Sequence, residues 1–241
     1  MKYNNIKIRN TILLAVFFII FWMLTNQSII KSYLEYESVE FLADLIIPLD
    51  GYFGTRNLFA LYSLPLLIYT TTLMNREHHH IIPRYTNRKQ IYISRLKHQL
   101  VLSTVCVTII VTVHLIATEL IYKKSIFGYH YDEYAVLNGL LLIVIYFSII
   151  NLYYIIFDCL NKNAIAIFLT VFICFSLASI SRVLNIWTPA EASNIIYRLW
   201  HAEILTEEII VMFFQNICIA IMLSMISYLV LVRKDFITGE S

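Results

Sequence analysis

Six long apolar blocks dominate this chain and leave almost nothing outside them from which a soluble core could be built. They cover about residues 11–30, 58–74, 100–121, 135–160, 164–180 and 209–232. A helix needs roughly 20 apolar residues to cross the hydrocarbon of a bilayer. Only helices and closed barrels can cross it, because every backbone polar group must find its partner inside the protein. The pattern therefore predicts an all-α, polytopic integral membrane protein: a single transmembrane domain of six helices. Only 14% of residues are charged, against roughly 25% in soluble domains. The first block is not followed by a small-residue cleavage site, which argues against a removable signal peptide.

Lysine and arginine set the orientation. With the amino end placed in the cytoplasm, twelve of the eighteen basic residues fall on the inner face with only four of the sixteen acidic ones, and the outer face reverses the ratio. Both termini are then expected inside. The four cysteines (Cys106, Cys159, Cys174, Cys218) lie in apolar blocks without metal-ligand spacing, and read as buried free thiols.

The connections differ in character. Asn161-Lys162-Asn163 is short enough to force a tight hairpin between the fourth and fifth spans. The outer stretch 181–208 is semi-apolar, with Trp187, Tyr197 and Trp200 suited to the headgroup level, and is expected to lie in the interface or dip below it. Residues 75–97 form the most basic stretch. Asn87 and Gln90 there mark a weak helix start leading straight into the third span, and Pro83 ends whatever helix precedes it. This stretch could simply touch anionic lipid. Ile81, Ile82 and Tyr85 among its arginines also fit a docking surface.

Together these features resemble the permease subunit of a type-2 ABC exporter: a basic amino-terminal segment, six spans, the loop Arg84-Tyr85-Thr86-Asn87-Arg88 after the second span, the tight hairpin, the semi-apolar outer segment, and Leu231-Val232-Arg233-Lys234-Asp235 after the last span. The likeness is to the small Gram-positive permeases of bacteriocin immunity and amphipathic-toxin export, and covers nearly the whole chain as an architecture. It implies that Glu77, His78, Ile82, Arg84, Tyr85 and Arg88 seat in a cytoplasmic ATPase subunit, present in two copies. It further implies a second permease, as a homodimer or related heterodimer, an elbow helix at Lys2–Arg9 and a re-entrant outer gate. The loop is shorter than in larger exporters and lacks their usual glycine.

No P-loop occurs in the sequence, so ATP and magnesium are expected on the partner and no cofactor on this chain. Nor is a nucleic-acid partner expected. His78, His79 and His80 are consecutive and point about 100° apart on a helix, a poor arrangement for one tetrahedral ion, so no metal site is expected. Glu207-Glu208 reads as a solvated helix start. Polar groups inside spans are functional candidates. His114, Asn151 and Asn216 are therefore candidates to line a path, with His114 hydrogen-bonded between helices as the alternative. Glu119 and Asp158 are expected to reach interfacial water. Pro65 is expected to kink the second span.

The reading is a permease for a hydrophobic or amphipathic substrate, a peptide or antibiotic, in a bacterial cell membrane. A stand-alone immunity or sensor protein is the alternative. An intramembrane enzyme built on His114, Glu119 and Asp158 is a weaker one, since those residues form no specific acid–base constellation.

Overall fold

A computed structural model describes residues 2–36, 40–45, 51–81, 88–122, 129–184, 187–201 and 206–233. The described residues are helical and contain no strand. In chain order the helices are α1 (Lys2–Thr25), α2 (Gln27–Tyr36), α3 (Glu40–Asp44), a π-helical turn (Asn57–Leu61), α4 (Ser63–Ile81), α5 (Arg88–Tyr122), α6 (Tyr131–Leu160), α7 (Asn163–Leu184), α8 (Pro189–Ala192), α9 (Ile195–Trp200) and α10 (Thr206–Arg233). Five stretches among the described residues are long and apolar enough to cross a membrane: Ile8–Thr25, Arg88–Tyr122, Tyr131–Leu160, Asn163–Ser181 and Glu207–Arg233. They mark the chain as a membrane protein.

The second expected span, 58–74, takes a different form. A π-helical turn is closed by Tyr62 N–H donating to the Asn57 carbonyl at 2.9 Å, and the α-helix begins only at Ser63. Pro65 accounts for the break. It has no N–H for the Leu61 carbonyl, so an α-helix cannot run through this point intact, whereas the first turn of a new helix tolerates it. The expected kink at Pro65 is thus a change of helix type ending at Tyr62. Beyond Met74 the helix carries Arg76, Glu77 and the three histidines, so its uninterrupted apolar length is short.

The amino-terminal helix holds a second difference. Residues 2–25 contain neither glycine nor proline, and α1 runs unbroken from Lys2 into the apolar stretch. The elbow expected over Lys2–Arg9 is not a separate helix. The break comes instead at Asn26, which is fully buried and donates its side-chain amide to the Trp22 carbonyl at 2.9 Å. Asn26 is thus enclosed, while the two residues after it, Gln27 and Ser28, are exposed.

α6 is the most enclosed of the long helices and touches α4, α5, α7, α9 and α10. α5 and α6 run antiparallel. They approach closely at Gly139, where a Cβ would sit 3.0 Å from Val111 Cγ2. Asn161 ends α6 in the left-handed conformation (φ 54°), its N–H donating to the Phe157 carbonyl at 2.8 Å. This is the αL cap that asparagine tolerates better than most side chains. Only Asn161 and Lys162 separate α6 from α7. α1, α7 and α10 are peripheral, and rows such as Ile12, Val16, Ile20 on α1 and Ile210, Phe214, Ile221 on α10 stay exposed, as expected where acyl chains are the solvent.

Candidate functional site

α5 presents one buried stripe for its whole length: Ile91, Arg95, Gln99, Ser103, Cys106, Ile110, His114, Thr118 and Tyr122. The spacing of three or four residues places them on one helical face. Polar groups concentrate on this face, and two of them anchor the two ends of the bundle.

At one end, His114 is fully buried and both ring nitrogens are used. The Trp22 indole N–H of α1 donates to Nδ1 at 3.1 Å, and Nε2 lies 2.6 Å from the Tyr131 hydroxyl at the start of α6. An indole N–H can only donate, so Nδ1 carries no hydrogen. The neutral ring must then hold its hydrogen on Nε2 and donate to Tyr131. A second ring hydrogen would face the indole N–H donor and break that contact. The hydrogen-bonded alternative for His114 therefore has both its partners.

Aromatic rings wall this histidine in. Tyr52 stacks flat on it, with centroids 5.6 Å apart and planes 5° apart, and Phe53 meets it edge-on at 4.4 Å. Both belong to a turn built on Gly51, where a Cβ would sit 2.4 Å from the Leu45 carbonyl oxygen. The Asn57 side chain donates to the Gly51 carbonyl (2.9 Å) and the Tyr62 hydroxyl to the Tyr52 carbonyl (2.8 Å). Burial, and secondarily the Cys106 thiol, push the Tyr52 phenol well above its ordinary range. Trp200 of α9 meets Tyr131 edge-on at 5.5 Å. Three parts of the chain (α1, the 51–54 turn and the start of α6) thus converge on this one side chain of α5, with α9 packed behind Tyr131.

At the opposite end, Arg95 of α5 and Asp158 of α6 form a buried ion pair, with side chains 6% and 1% exposed. The second guanidinium nitrogen lies 3.4 Å from Asp158 Oδ1, and the guanidinium carbon sits 4.4 Å over the Tyr154 ring. A planar guanidinium suits both the carboxylate and the aromatic face. Asp158 was expected to reach interfacial water; it reaches Arg95 instead. Arg88 donates to the Val232 carbonyl, and the Tyr92 hydroxyl to the Ser224 carbonyl, so α10 is tied to the same end of α5.

The other expected positions are scattered. Asn151 and Asn216 are buried and donate to their own helices, at the Phe147 carbonyl (3.0 Å) and the Met212 carbonyl (2.8 Å). They do not meet His114 in one cluster. Glu77 and His78 lie in α4, while Ile82, Arg84 and Tyr85 fall outside the described residues. Arg88 is the first residue of α5. Trp187 is half-buried, its indole N–H enclosed without a partner among the described residues. Tyr197 and Trp200 lie on α9, whose Ile195 N–H donates to Asn138 Oδ1 at 2.8 Å, about two turns along α6. Thr188 and Asn194 cap α8 and α9. Glu119 is exposed, as are Glu207 and Glu208 in the first turn of α10. Cys106 and Cys174 are buried, but Cys159 is exposed and Cys218 half-exposed, because they fall on outward faces of α6 and α10.

The sequence reading missed Trp22, Tyr131 and Arg95. The nine-position stripe on α5 would have flagged Arg95, since an arginine on a buried helical face needs a carboxylate nearby. Nothing local marks Trp22 or Tyr131 as histidine partners. Among the described residues there is no group of three or more His, Cys, Asp or Glu side chains that could hold a metal ion. No protein-family model, curated protein or solved structure matches the chain.

Proposed function

We propose that the chain is the membrane-spanning permease subunit of an ABC transporter, moving a hydrophobic or amphipathic substrate, a peptide or antibiotic, with ATP hydrolysed on a separate subunit. The observation that carries this reading is α5. It is one helix of 35 residues, roughly 50 Å long at about 1.5 Å per residue. It starts within the basic stretch 75–97 and reaches the His114 cluster at the far end of the bundle. A force on the basic end would be passed to α6 through Arg95–Asp158, to α10 through Arg88 and Tyr92, and along α5 to the far end. ATP-driven opening needs such a mechanical link.

Six crossings, with both termini in the cytoplasm of a bacterial cell, remain our reading. Its support is the antiparallel run of the second segment along α1. Tyr62 meets Phe18 and Phe21 at 5.0 and 5.3 Å, the Tyr69 hydroxyl lies 2.8 Å from Thr11 Oγ1, and Asn10 donates to Thr72 at 3.4 Å. The segment thus follows α1 from residue 21 back to residue 10, roughly 16 Å at about 1.5 Å per residue, about half of the roughly 30 Å hydrocarbon core. In the same reading, the α9 contact with Asn138, well inside the end of α6, supports a re-entrant outer segment, and dimerisation supplies the second half of the path.

The test is purification from native membranes in mild detergent after light crosslinking. A stoichiometric soluble ATPase is the expected companion. A crosslinked preparation that holds none transfers the reading to a stand-alone immunity or sensor protein.

A further inference from the structure

One turn along α5 from the Arg95–Asp158 pair, Gln99 is fully buried. Neither its amide nitrogen nor its oxygen has a hydrogen-bond partner among the described residues. On α6, Asn151 is equally buried; its Nδ2 is spent on the Phe147 carbonyl, and its Oδ1 has no partner among the described residues. The register of the two helices brings these residues to one level. Asp158 stands opposite Arg95, Gly139 beside Val107 and Val111, and Tyr131 opposite His114. Gln99 therefore comes level with about residues 151–154 of α6, and Asn151 shares a helical face with Tyr154 and Asp158, which both meet Arg95. α10 is tied to α5 at Arg88–Val232 and Tyr92–Ser224, which sets the buried methyl group of Ala220 near the level of Gln99.

This layer departs from the rule that buried polar groups are paired. Its three unpaired atoms are enclosed so tightly that a water scarcely touches them, so hydration does not repair the loss. Arg95, one turn away, is already committed to Asp158. A stranded amide is costly wherever water cannot reach it. Apolar side chains of the same shape would therefore hold these helices together better, and the closed packing carries polarity that it does not use. The cost is relieved when α5 and α6 part far enough for water to enter. A carboxamide both donates and accepts and carries no net charge, so the pair suits water rather than an ion of either sign.

We infer that the Gln99–Asn151 layer is the closed form of a hydrated passage: α5 and α6 have a second arrangement in which water enters between them and bonds both carboxamides. The unpaired amides bias the bundle toward that open arrangement. The Arg95–Asp158 clamp, one turn away, holds the same two helices in the closed one. The inference concerns an equilibrium of this chain alone, so its failure would leave the permease reading standing.

The experiment uses the full chain in detergent, with its four cysteines replaced by alanine and a thiol placed one turn beyond Gln99 by Ser103→Cys. Ser103 is fully buried on the same stripe, so a small hydrophilic methanethiosulfonate reaches the thiol only through the open arrangement. Slow modification, followed by mass spectrometry, is expected. Adding Gln99→Met and Asn151→Leu removes the bias and should slow it at least about fivefold, with a thermal midpoint equal or higher. Leu102→Cys, also buried, serves as the reporter if Ser103→Cys does not fold. No modification of the chain that keeps both amides would overturn the inference, as would a rate that the two substitutions leave unchanged. A lowered midpoint would overturn it too, because the amides would then be partnered in the closed form.

Discussion

The two ends of α5 are fastened by opposite chemistries. At the His114 end a single neutral ring accepts from one helix and donates to another, within a shell of aromatic side chains. At the Arg95 end a full positive charge is held by a full negative one. Breaking a buried neutral hydrogen bond strands an uncharged group, at about 1–3 kcal/mol, and another acceptor can replace the lost one. A buried charge that loses its partner is severely penalised, because the remaining ion has neither water nor counter-charge. The aromatic end is therefore a cooperative packing unit built from many small terms. The ionic end works as a clamp between α5 and α6, with its strength concentrated in one pair.

Breaking the clamp should give the largest effect. Asp158→Ala strands the Arg95 guanidinium, and breaking such a buried pair costs about 3–5 kcal/mol. Thermal unfolding in detergent should show a large loss, and Arg95→Met combined with Asp158→Leu should recover most of it. A midpoint unmoved by Asp158→Ala would mean that the pair is hydrated and that the contrast between the ends is unfounded.

The aromatic end should yield a smaller and graded response. His114→Ala leaves the Trp22 indole N–H buried without an acceptor, a penalty of about 1–3 kcal/mol. His114→Asn returns an acceptor oxygen near the position of Nδ1 and should lose distinctly less. Equal losses in the two variants, measured by the same unfolding, would show that ring packing and not the Trp22 hydrogen bond holds this end.

The last prediction concerns which face each end occupies and should leave stability unchanged. In a background without native cysteines, Lys31→Cys and His130→Cys mark the His114 end, and Lys89→Cys and Arg233→Cys the Arg95 end. An impermeant thiol reagent added to intact cells should modify the first pair only. Lys31→Cys and Lys89→Cys reacting from the same face would mean that residues 57–81 do not cross, leaving five spans.

Much of the fold was legible in the residue order. The apolar blocks at 100–121, 135–160, 164–180 and 209–232 each lie within a helix, at α5, α6, α7 and α10, and the helix signal near residues 87–90 runs unbroken into α5. The Asn161-Lys162 hairpin could be read from its length alone. The site was far less legible. His114 stood out as a polar residue in an apolar block, but its partners lie 92 residues before it and 17 after it. Asp158 read as a helix-end residue in contact with water, because its partner is 63 residues away.

The sequence by itself determined that the chain is helical and made for a bilayer, and where the four long helices α5, α6, α7 and α10 lie. Hydrophobic length and local capping are properties of neighbouring residues, and they act before any helix meets another. Only the tertiary structure decided that α6 lies at the centre, that Trp22 and Tyr131 share one histidine, that Arg95 closes on Asp158, and that the second segment passes through a π-helical turn beside α1. Those outcomes depend on which helix faces come together. That choice is made by packing and by the pairing of buried polar groups across long stretches of chain, which local sequence does not encode.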